Sequence, residues 1–565
     1  MIKKWWMEAI GYQVYIKSFK DSNGDGIGDL AGVYEKLGYL KELGISLIWL
    51  APFCDSPMDD NGYDVRDFYK VNDNYGSIEE LKKLIEKAHE LEIKVIMDLV
   101  LNHTSDEHPW FIESRKSLDN KYRDYYIWQP PKYKNNLEVE PTNWASFFGG
   151  SAWNKDPITG EYYMKIFSNK MPDLNWKNPK LRQEMYEMAK WWLEFGIDGF
   201  RIDAASHLSR APFIDSTISN DRYVGDWSKF SNLARTHDYL HEMKREVFRK
   251  YDMVTVGEVG GGASTKSGLK FASFDKGSLD MVFNFDHNWC IIDDDNGRKT
   301  DVIGLKKVFS KWQAAMATRG WNPLYWLNHD QPRLMSQYGS LDYFKESGKM
   351  LATALYLMRG TPFIFQGEEI GMTNYPFKKI EEFRDVSTIN PYNLELANNP
   401  DLDKEKLLLK YAKNSRDHAR TPIQWDDTLN AGFTTNEPWI GINPNYKKIN
   451  VKEQINDTNS IWHYYKKIFS LRKDLKYKEL IIYGKYKIVD LENEDIYSYL
   501  RYNDSKEAVL VINSFRPFNT NFNLKPYLIK EQILSNYEIS HIENDILTLK
   551  PYQSVVFVVK IDKKG

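Results

Sequence analysis

The chain has 565 residues, 42% of them hydrophobic, with 76 Lys+Arg against 79 Asp+Glu and a formal net charge of -3. That length allows several domains and a sizeable core, while the charge balance excludes extensive intrinsic disorder and gives no electrostatic basis for binding nucleic acid or an anionic membrane. Two cysteines, Cys54 and Cys290, cannot build a disulfide framework. No apolar run approaches the ~18 residues of a membrane span, and Glu8 and Gln13 interrupt the N-terminus before signal-peptide length. The expectation is a cytoplasmic protein without a membrane or nucleic-acid partner. Its 18 Trp, 36 Tyr and 28 Phe fit core packing and, weakly, stacking on sugars.

Short apolar runs alternate with amphipathic stretches. The predicted strands are QVYIKSF (13–19), SLIWLAPF (46–53), KVIMDLV (94–100), GFRIDA (199–204), MVTVGEV (253–259), LDMVFNF (279–285), PLYWLNH (323–329) and PFIFQG (362–367). Between them lie helical segments such as 78–91, where Leu81, Leu84, Ile85, Ala88 and Leu91 share a face. Eight such units predict an α/β fold, a TIM (β/α)8 barrel, whose chemistry collects at the C-terminal ends of the strands. Residues 104–177, rich in Trp, Tyr, Asn and Pro, exceed an ordinary β-α loop and predict an inserted subdomain after strand 3. After about residue 480, KYKIVDL, IYSYLRY, EAVLVINS and QSVVFVVK predict an antiparallel β domain. The expected division is a barrel over 1–103 and 178–480, an insertion over 104–177 and a C-terminal β-sandwich over 481–565.

The strand ends carry DLVLNH (98–103), GFRIDAASH (199–207), GEVGG (257–261) and NHDQPR (328–333). A single strand-end acid usually caps a helix or pairs with a lysine. Asp203, Glu258 and Asp330 at three strand ends, with Arg201, His103 and His329, instead suit glycoside hydrolysis, which needs a carboxylate nucleophile and a second, protonated carboxyl. Arg201 lies two residues before Asp203, on the same side of a strand, and is expected to hold it ionised as nucleophile. Glu258 follows an apolar run, and partial desolvation raises a carboxyl toward general-acid duty. Asp330 is expected to bind substrate hydroxyls and keep Glu258 protonated.

These four motifs, in this order, resemble the α-amylase superfamily, glycoside hydrolase family 13, along essentially the whole chain. QVYIKSFKDSNGDGIGDL, WLAPFCDSPMDDNGYDV, MPDLNW, GMTNYPF and RDHARTPIQWD resemble its oligo-1,6-glucosidase and α-glucosidase branch. The resemblance implies Asp203 as nucleophile, Glu258 as acid/base and Asp330 as transition-state stabiliser. It also implies a pocket for a non-reducing-end glucose formed by Tyr63, Asp64, His103, Phe167, Arg201, His329 and Arg416. Facing each other across the pocket floor, Asp64 and Arg416 would pair with the 4- and 6-hydroxyls and enforce exo action; Tyr63 would stack on the ring, and His103 and His329 would donate to hydroxyls.

Ala204, directly after the nucleophile, resembles a selector position where Val accompanies α-1,6 and a smaller residue α-1,4 specificity. The expectation is a retaining α-glucosidase favouring maltose and short malto-oligosaccharides. Isomaltose, sucrose and trehalose 6-phosphate are alternative substrates, and a non-catalytic relative is a remote alternative. Met171, where many relatives have Gln, removes a polar group near the aglycone. The loop with Asp21, Asn23, Asp25, Ile27 and Asp29 spaces oxygen ligands like an EF-hand but has Gly32 at position twelve; it predicts a structural Ca2+ or Mg2+ site, with an Asx-rich turn as the alternative. No organic cofactor is expected, since GEVGGG lacks a phosphate-loop Lys-Ser/Thr. Cys54 reads as a buried thiol, and the protein as a monomer.

Overall fold

The computed structural model describes residues 2–294, 297–504, 507–538 and 540–561. Eight parallel strands, β1 (Gly11–Val14), β2 (Leu47–Leu50), β3 (Lys94–Val100), β4 (Gly199–Asp203), β5 (Val254–Glu258), β6 (Met281–Phe283), β7 (Pro323–Leu324) and β8 (Thr361–Phe365), pair in the order β6-β5-β4-β3-β2-β1-β8-β7. The two ends of that order meet where Phe283 packs edge-on against Tyr325, ring centroids 4.8 Å apart, and close the barrel. All eight expected strands are present. All but β3 are shorter than expected, and in two the cause is local: the Tyr15 amide leaves β1 for Gln366 Oε1 at 2.8 Å, and β7 registers only with Thr361 and Pro362, which has no N–H to extend a ladder.

A helix follows each strand: α1 (Leu30–Leu43), α2 (Ile78–Glu90), α3 (Pro179–Phe195), α4 (Ala234–Glu246), α5 (Thr265–Ala272), α6 (Val302–Met316), α7 (Phe344–Tyr356) and α8 (Ile461–Lys473). Ser77 and Glu80 form a capping box that starts α2, and its stripe of Leu81, Leu84, Ile85 and Ala88 is buried. Buried on one side by helices and on the other by the barrel interior, the strands are largely apolar outside the site: every residue of β2, LIWL, is apolar and buried. Glycine matters at one junction. A Cβ at Gly199 would stand 2.1 Å from the Val254 carbonyl oxygen, so Gly199 allows β4 to lie against β5 and brings their C-terminal acids side by side.

Between β3 and α3 the chain forms a small antiparallel sheet of Trp128–Gln129, Tyr162–Met164 and Trp153–Lys155, over its own cluster of Trp144, Trp153, Tyr162, Met164 and Ile166. A second long interval, residues 366–460 between β8 and α8, carries helices at Val386–Asn398 and Lys404–Ala412 and otherwise only short turns of helix. The last part contains β9 (Lys485–Val489), β10 (Ile496–Tyr502), β11 (Glu507–Ser514), β12 (Thr520–Asn523), β13 (Tyr527–Ser535), β14 (His541–Glu543), β15 (Ile546–Leu549) and β16 (Ser554–Ile561). They pair antiparallel as β9-β10-β11-β16-β13 and β12-β15-β14. Leu510 and Ile512 face Leu547 and Leu549 across the two sheets, while Val509 and Val511 join the barrel's core; a strand sandwiched on both faces loses its polar alternation.

Candidate active site

The C-terminal strand ends surround a cavity of about 310 Å³ lined by Asp203, Glu258, Asp330, Tyr63, His103 and Phe167, together with Ala204 and Arg416. Its centre of charge is Arg201 on β4, 1% exposed. The guanidinium donates to Asp203 Oδ1 at 2.8 Å, to Tyr63 Oη at 3.2 Å, and also to Asp98 and Glu258. One buried cation thus serves three carboxylates from β3, β4 and β5, an arrangement whose desolvation cost is offset only by such pairing.

Burial pushes the Asp203 carboxyl up to about 6, with Asp330 adding to the rise and Arg201 opposing it. Arg201 favours the ionised form of Asp203, but does not fully offset the desolvation of an enclosed carboxylate. Asp98, which accepts from Trp49 Nε1 at 2.6 Å, is likewise raised to about 6 by burial. Asp330 behaves oppositely. Burial opposes its ionisation, yet its neighbours hold it well below the usual carboxylate range. Arg420 Nη2 lies 2.9 Å and Arg416 Nη1 3.3 Å from its Oδ1. Burial pushes His329 down to about 3, so near neutral pH the cations holding Asp330 ionised are the two arginines.

Three expected pocket residues are placed differently. Asp64 is fully buried behind the lining, where its carboxylate accepts the Asp59 and Asp60 amides at 2.8 and 3.0 Å and shapes their loop. The residue that meets Arg416 is Asp60, at 2.9 Å, with Asp385 at 2.6 Å on the same nitrogen. The turn decides this: Met58, Asn61 and Gly62 all have positive φ and swing Asp60 into the cavity and Asp64 away. His329 also stands behind the lining. Its Nδ1 contacts Gln13 Nε2 at 2.8 Å and its Nε2 contacts Tyr63 Oη at 2.8 Å, while its ring stacks under Tyr63 with centroids 5.3 Å apart. With both nitrogens engaged, it positions Tyr63 and does not face the cavity. Arg201 lies behind the lining too and reaches it through the acids.

His103 keeps its expected place. Burial pushes it down to about 4, and its Nε2 has no hydrogen-bond partner among the described residues, so a neutral imidazole is available to a ligand. Phe167 packs edge-on against His103 at 5.2 Å. Met171 lines the same cavity. Sequence reasoning missed Asp60, Phe147, Phe148, His207, Phe285 and Asp385; Asp60 and His207 stood inside quoted motifs, whereas nothing local marked Asp385.

Residues 13–483 match the alpha amylase catalytic domain model. The chain belongs to the alpha-amylase family.

It is a glycoside hydrolase of that family. It is 47% identical to an oligo-1,6-glucosidase of Bacillus cereus, covering 99% of this chain and 100% of the relative, and 42% identical to a trehalose-6-phosphate hydrolase of Bacillus subtilis strain 168, covering 98% of each. The crystal structure of Bacillus licheniformis trehalose-6-phosphate hydrolase superposes with a TM-score of 0.90 at 42% identity, covering 99% of this chain and 100% of that one.

Membership of the alpha-amylase family fits a protein without an organic cofactor. The five expected metal ligands lie in the loop before α1, where the aspartate oxygens are largely engaged by the loop's own amides and, for Asp21, by the Thr434 hydroxyl at 2.5 Å. Asp21 accepts the Asn23, Gly24 and Gly26 amides at 2.7–3.0 Å, Asp25 accepts the Ile27 amide at 2.8 Å, and Asp29 caps α1 through Gly32 at 2.6 Å. Among the described residues, no three His, Cys, Asp or Glu side chains stand together as a metal site. The Cys54 thiol is buried and raised by that burial, which makes it a poor nucleophile. No described helix is long and apolar enough to cross a membrane.

Proposed function

We propose that the chain is a retaining, exo-acting α-glucosidase with Asp203 as nucleophile, Glu258 as acid/base and Asp330 as stabiliser of the developing positive charge. The observation that carries this is the Arg201 guanidinium bridging the two carboxyls of adjacent strands, with a third, permanently ionised carboxylate at the same rim. Asp203 attacks the anomeric carbon while Glu258 protonates the departing glycosidic oxygen; Glu258 then takes a proton from the water that cleaves the glycosyl ester. The salt-bridged end formed by Asp60 and Arg416 receives the far hydroxyls of a terminal glucose and blocks longer chains. His103 donates or accepts through Nε2, and the Tyr63 and Phe167 rings face the sugar.

For the linkage we favour α-1,4 over α-1,6. Ala204 lines the cavity with a single methyl, which leaves room on the aglycone side of Asp203. The α-1,6 reading is favoured by the likeness to the oligo-1,6-glucosidase of Bacillus cereus, and trehalose 6-phosphate by the two hydrolases that carry that name. Glucose release from p-nitrophenyl α-glucoside by the wild type and by Asp203→Asn tests the assignment. The wild type should release α-glucose first, and the variant should be nearly inactive; β-glucose or equal rates would refute it.

The same proposal includes a hard divalent cation, Ca2+ or Mg2+, on Asp21, Asn23, Asp25, the Ile27 carbonyl and Asp29. Its support is the alternation of oxygen-bearing residues and the exposure of Asn23 and Asp25, which bond only each other and the loop backbone. The division at 103/104, 177/178 and 480/481, a monomeric state and a cytoplasmic compartment complete it, the last supported by two free cysteines.

A further inference from the structure

A second cavity, about 610 Å³, adjoins the catalytic pocket and shares the Phe148 and Phe167 rings with it. That volume is within the range of small-molecule sites. Beyond those rings it is lined by Lys165, which follows the Tyr162–Met164 strand, and by Asp59, Asn169 and Asn390. Lys165 is 5% exposed, yet its ammonium has no hydrogen bond or ion pair with any described residue. The opposing charge that acts on it, Asp173, is already taken by Asn102 at 2.9 Å and Arg210 at 2.8 Å. With no protein acceptor among the described residues, the ammonium nitrogen keeps its access to the cavity, where a ligand acceptor would take the place of water. Burial has already pushed Lys165 down to about 8.

The rest of the lining says what that ligand is. Lys170 is paired with Glu107 at 3.2 Å and Asp106 at 3.6 Å, so it adds no free cation. The Asp59 carboxylate, held by the Ser168 hydroxyl, would repel an anion. One ammonium, one carboxylate, exposed asparagine amides and two aromatic rings are the complement of a neutral polyol, which presents hydroxyls as both donors and acceptors around an apolar ring face.

We propose that this cavity is a second carbohydrate site, taking a glucose unit between Lys165, Asp59 and Asn390 against the Phe148 and Phe167 rings. It lies outside the catalytic pocket and stands apart from which linkage that pocket cleaves. Because the shared rings form the wall between the two, occupancy of one is felt in the other.

The experiment first caps the catalytic pocket with a cyclitol epoxide that esterifies the nucleophile; a mass increase of one label confirms the cap, and its absence counts against Asp203 and not against this site. Calorimetric titration of D-glucose into capped wild type should then show one further equivalent bound. Affinity should fall tenfold or more in capped Lys165→Met and Asn390→Leu, the latter on an exposed helix face and so a check against misfolding of the former. No binding to capped wild type, or unchanged binding in both variants, would overturn the proposal. Binding of inorganic phosphate in place of glucose would overturn it in favour of an anion site.

Discussion

The Arg416 guanidinium meets the Asp60 carboxylate at 2.9 Å across the inner end of the catalytic pocket, while Asp64, four residues on, is turned to the backbone. The two acids should therefore fail differently. Asp60→Asn removes a charged partner of substrate hydroxyls, a contact worth ~1.5–3 kcal/mol, and should lower kcat/KM on maltose ~10–100-fold with Tm nearly unchanged. Asp64→Asn keeps one acceptor oxygen for two amides and should lower Tm while affecting kcat/KM less. Steady-state kinetics beside thermal melts distinguish them, and the reverse pattern would return the pocket role to Asp64.

The acid limb of the pH profile follows from Asp203. Burial has pushed its carboxyl up to about 6, and only the ionised form can attack the anomeric carbon. In the free enzyme kcat/KM should fall at least tenfold per pH unit below about 6. Asp330, held ionised by Arg416 and Arg420, adds no proton in that range, but Asp98 on the same Arg201 guanidinium is also raised to about 6, so the limb should have a slope of one or steeper. A profile flat down to pH 4 contradicts this.

Much of this was legible in the chain itself, for physical reasons. Strands covered on both faces must be apolar, so KVIMDLV and GFRIDA stand out, and a barrel puts their C-terminal acids on one rim regardless of separation in sequence. What stayed hidden depends on loop geometry. Choosing Asp60 over Asp64 in DDNGYD requires the positive-φ turn at Met58, Asn61 and Gly62. Asp385 reaches the site from residues 366–460, where no period marks it, and Arg420, though inside the RDHARTPIQWD motif, carried no role there. The strands β12 to β15 also escaped: β14 is exposed along its length, and the alternation of β12 covers only four residues.

Calcium should act on the loop before α1 if it binds there. Asp25 and Asn23 are exposed and free to turn from one another to an ion, and Asp29 already caps α1. Adding millimolar Ca2+ to EGTA-treated protein should raise Tm, since binding to the folded state alone stabilises by RT ln(1 + [L]/Kd). Asp25→Ala should abolish the shift while leaving the melt in EGTA nearly unchanged. An identical Tm with and without calcium retires the metal.

Glu368, fully buried just after β8, should make stability fall with rising pH. Its Oε1 accepts from Tyr356 and Tyr465 at 2.5 and 2.8 Å, and burial pushes it up to about 8 from 4.5. The folded chain therefore holds a proton that the unfolded chain releases above pH 4.5. Between pH 4.5 and 8 the folded state loses ground by ~1.4 kcal/mol per unit at most, and above 8 the loss is complete. Glu368→Gln keeps the acceptor oxygen and cannot ionise. Its denaturation free energy should change less than wild type between pH 5 and 8, and parallel curves would show that Glu368 is ionised throughout.

Ala204 gives the sharpest test of linkage. It follows the nucleophile with φ 45 and ψ 35, in the left-handed region, where a β-branched side chain is strained. Ala204→Val should therefore lower stability, through the β-branch and beyond the strain that the alanine Cβ already bears, and also fill the space beside Asp203. One or two methyl groups in a pocket discriminate by ~1–3 kcal/mol, so the maltose-to-isomaltose ratio of kcat/KM should move toward isomaltose by about 10-fold or more. Ala204→Gly separates the two effects: glycine takes this φ without strain, so its stability should hold while the ratio stays on the maltose side. A wild type that already prefers isomaltose, or a ratio that valine leaves unmoved, assigns linkage choice to residues other than Ala204.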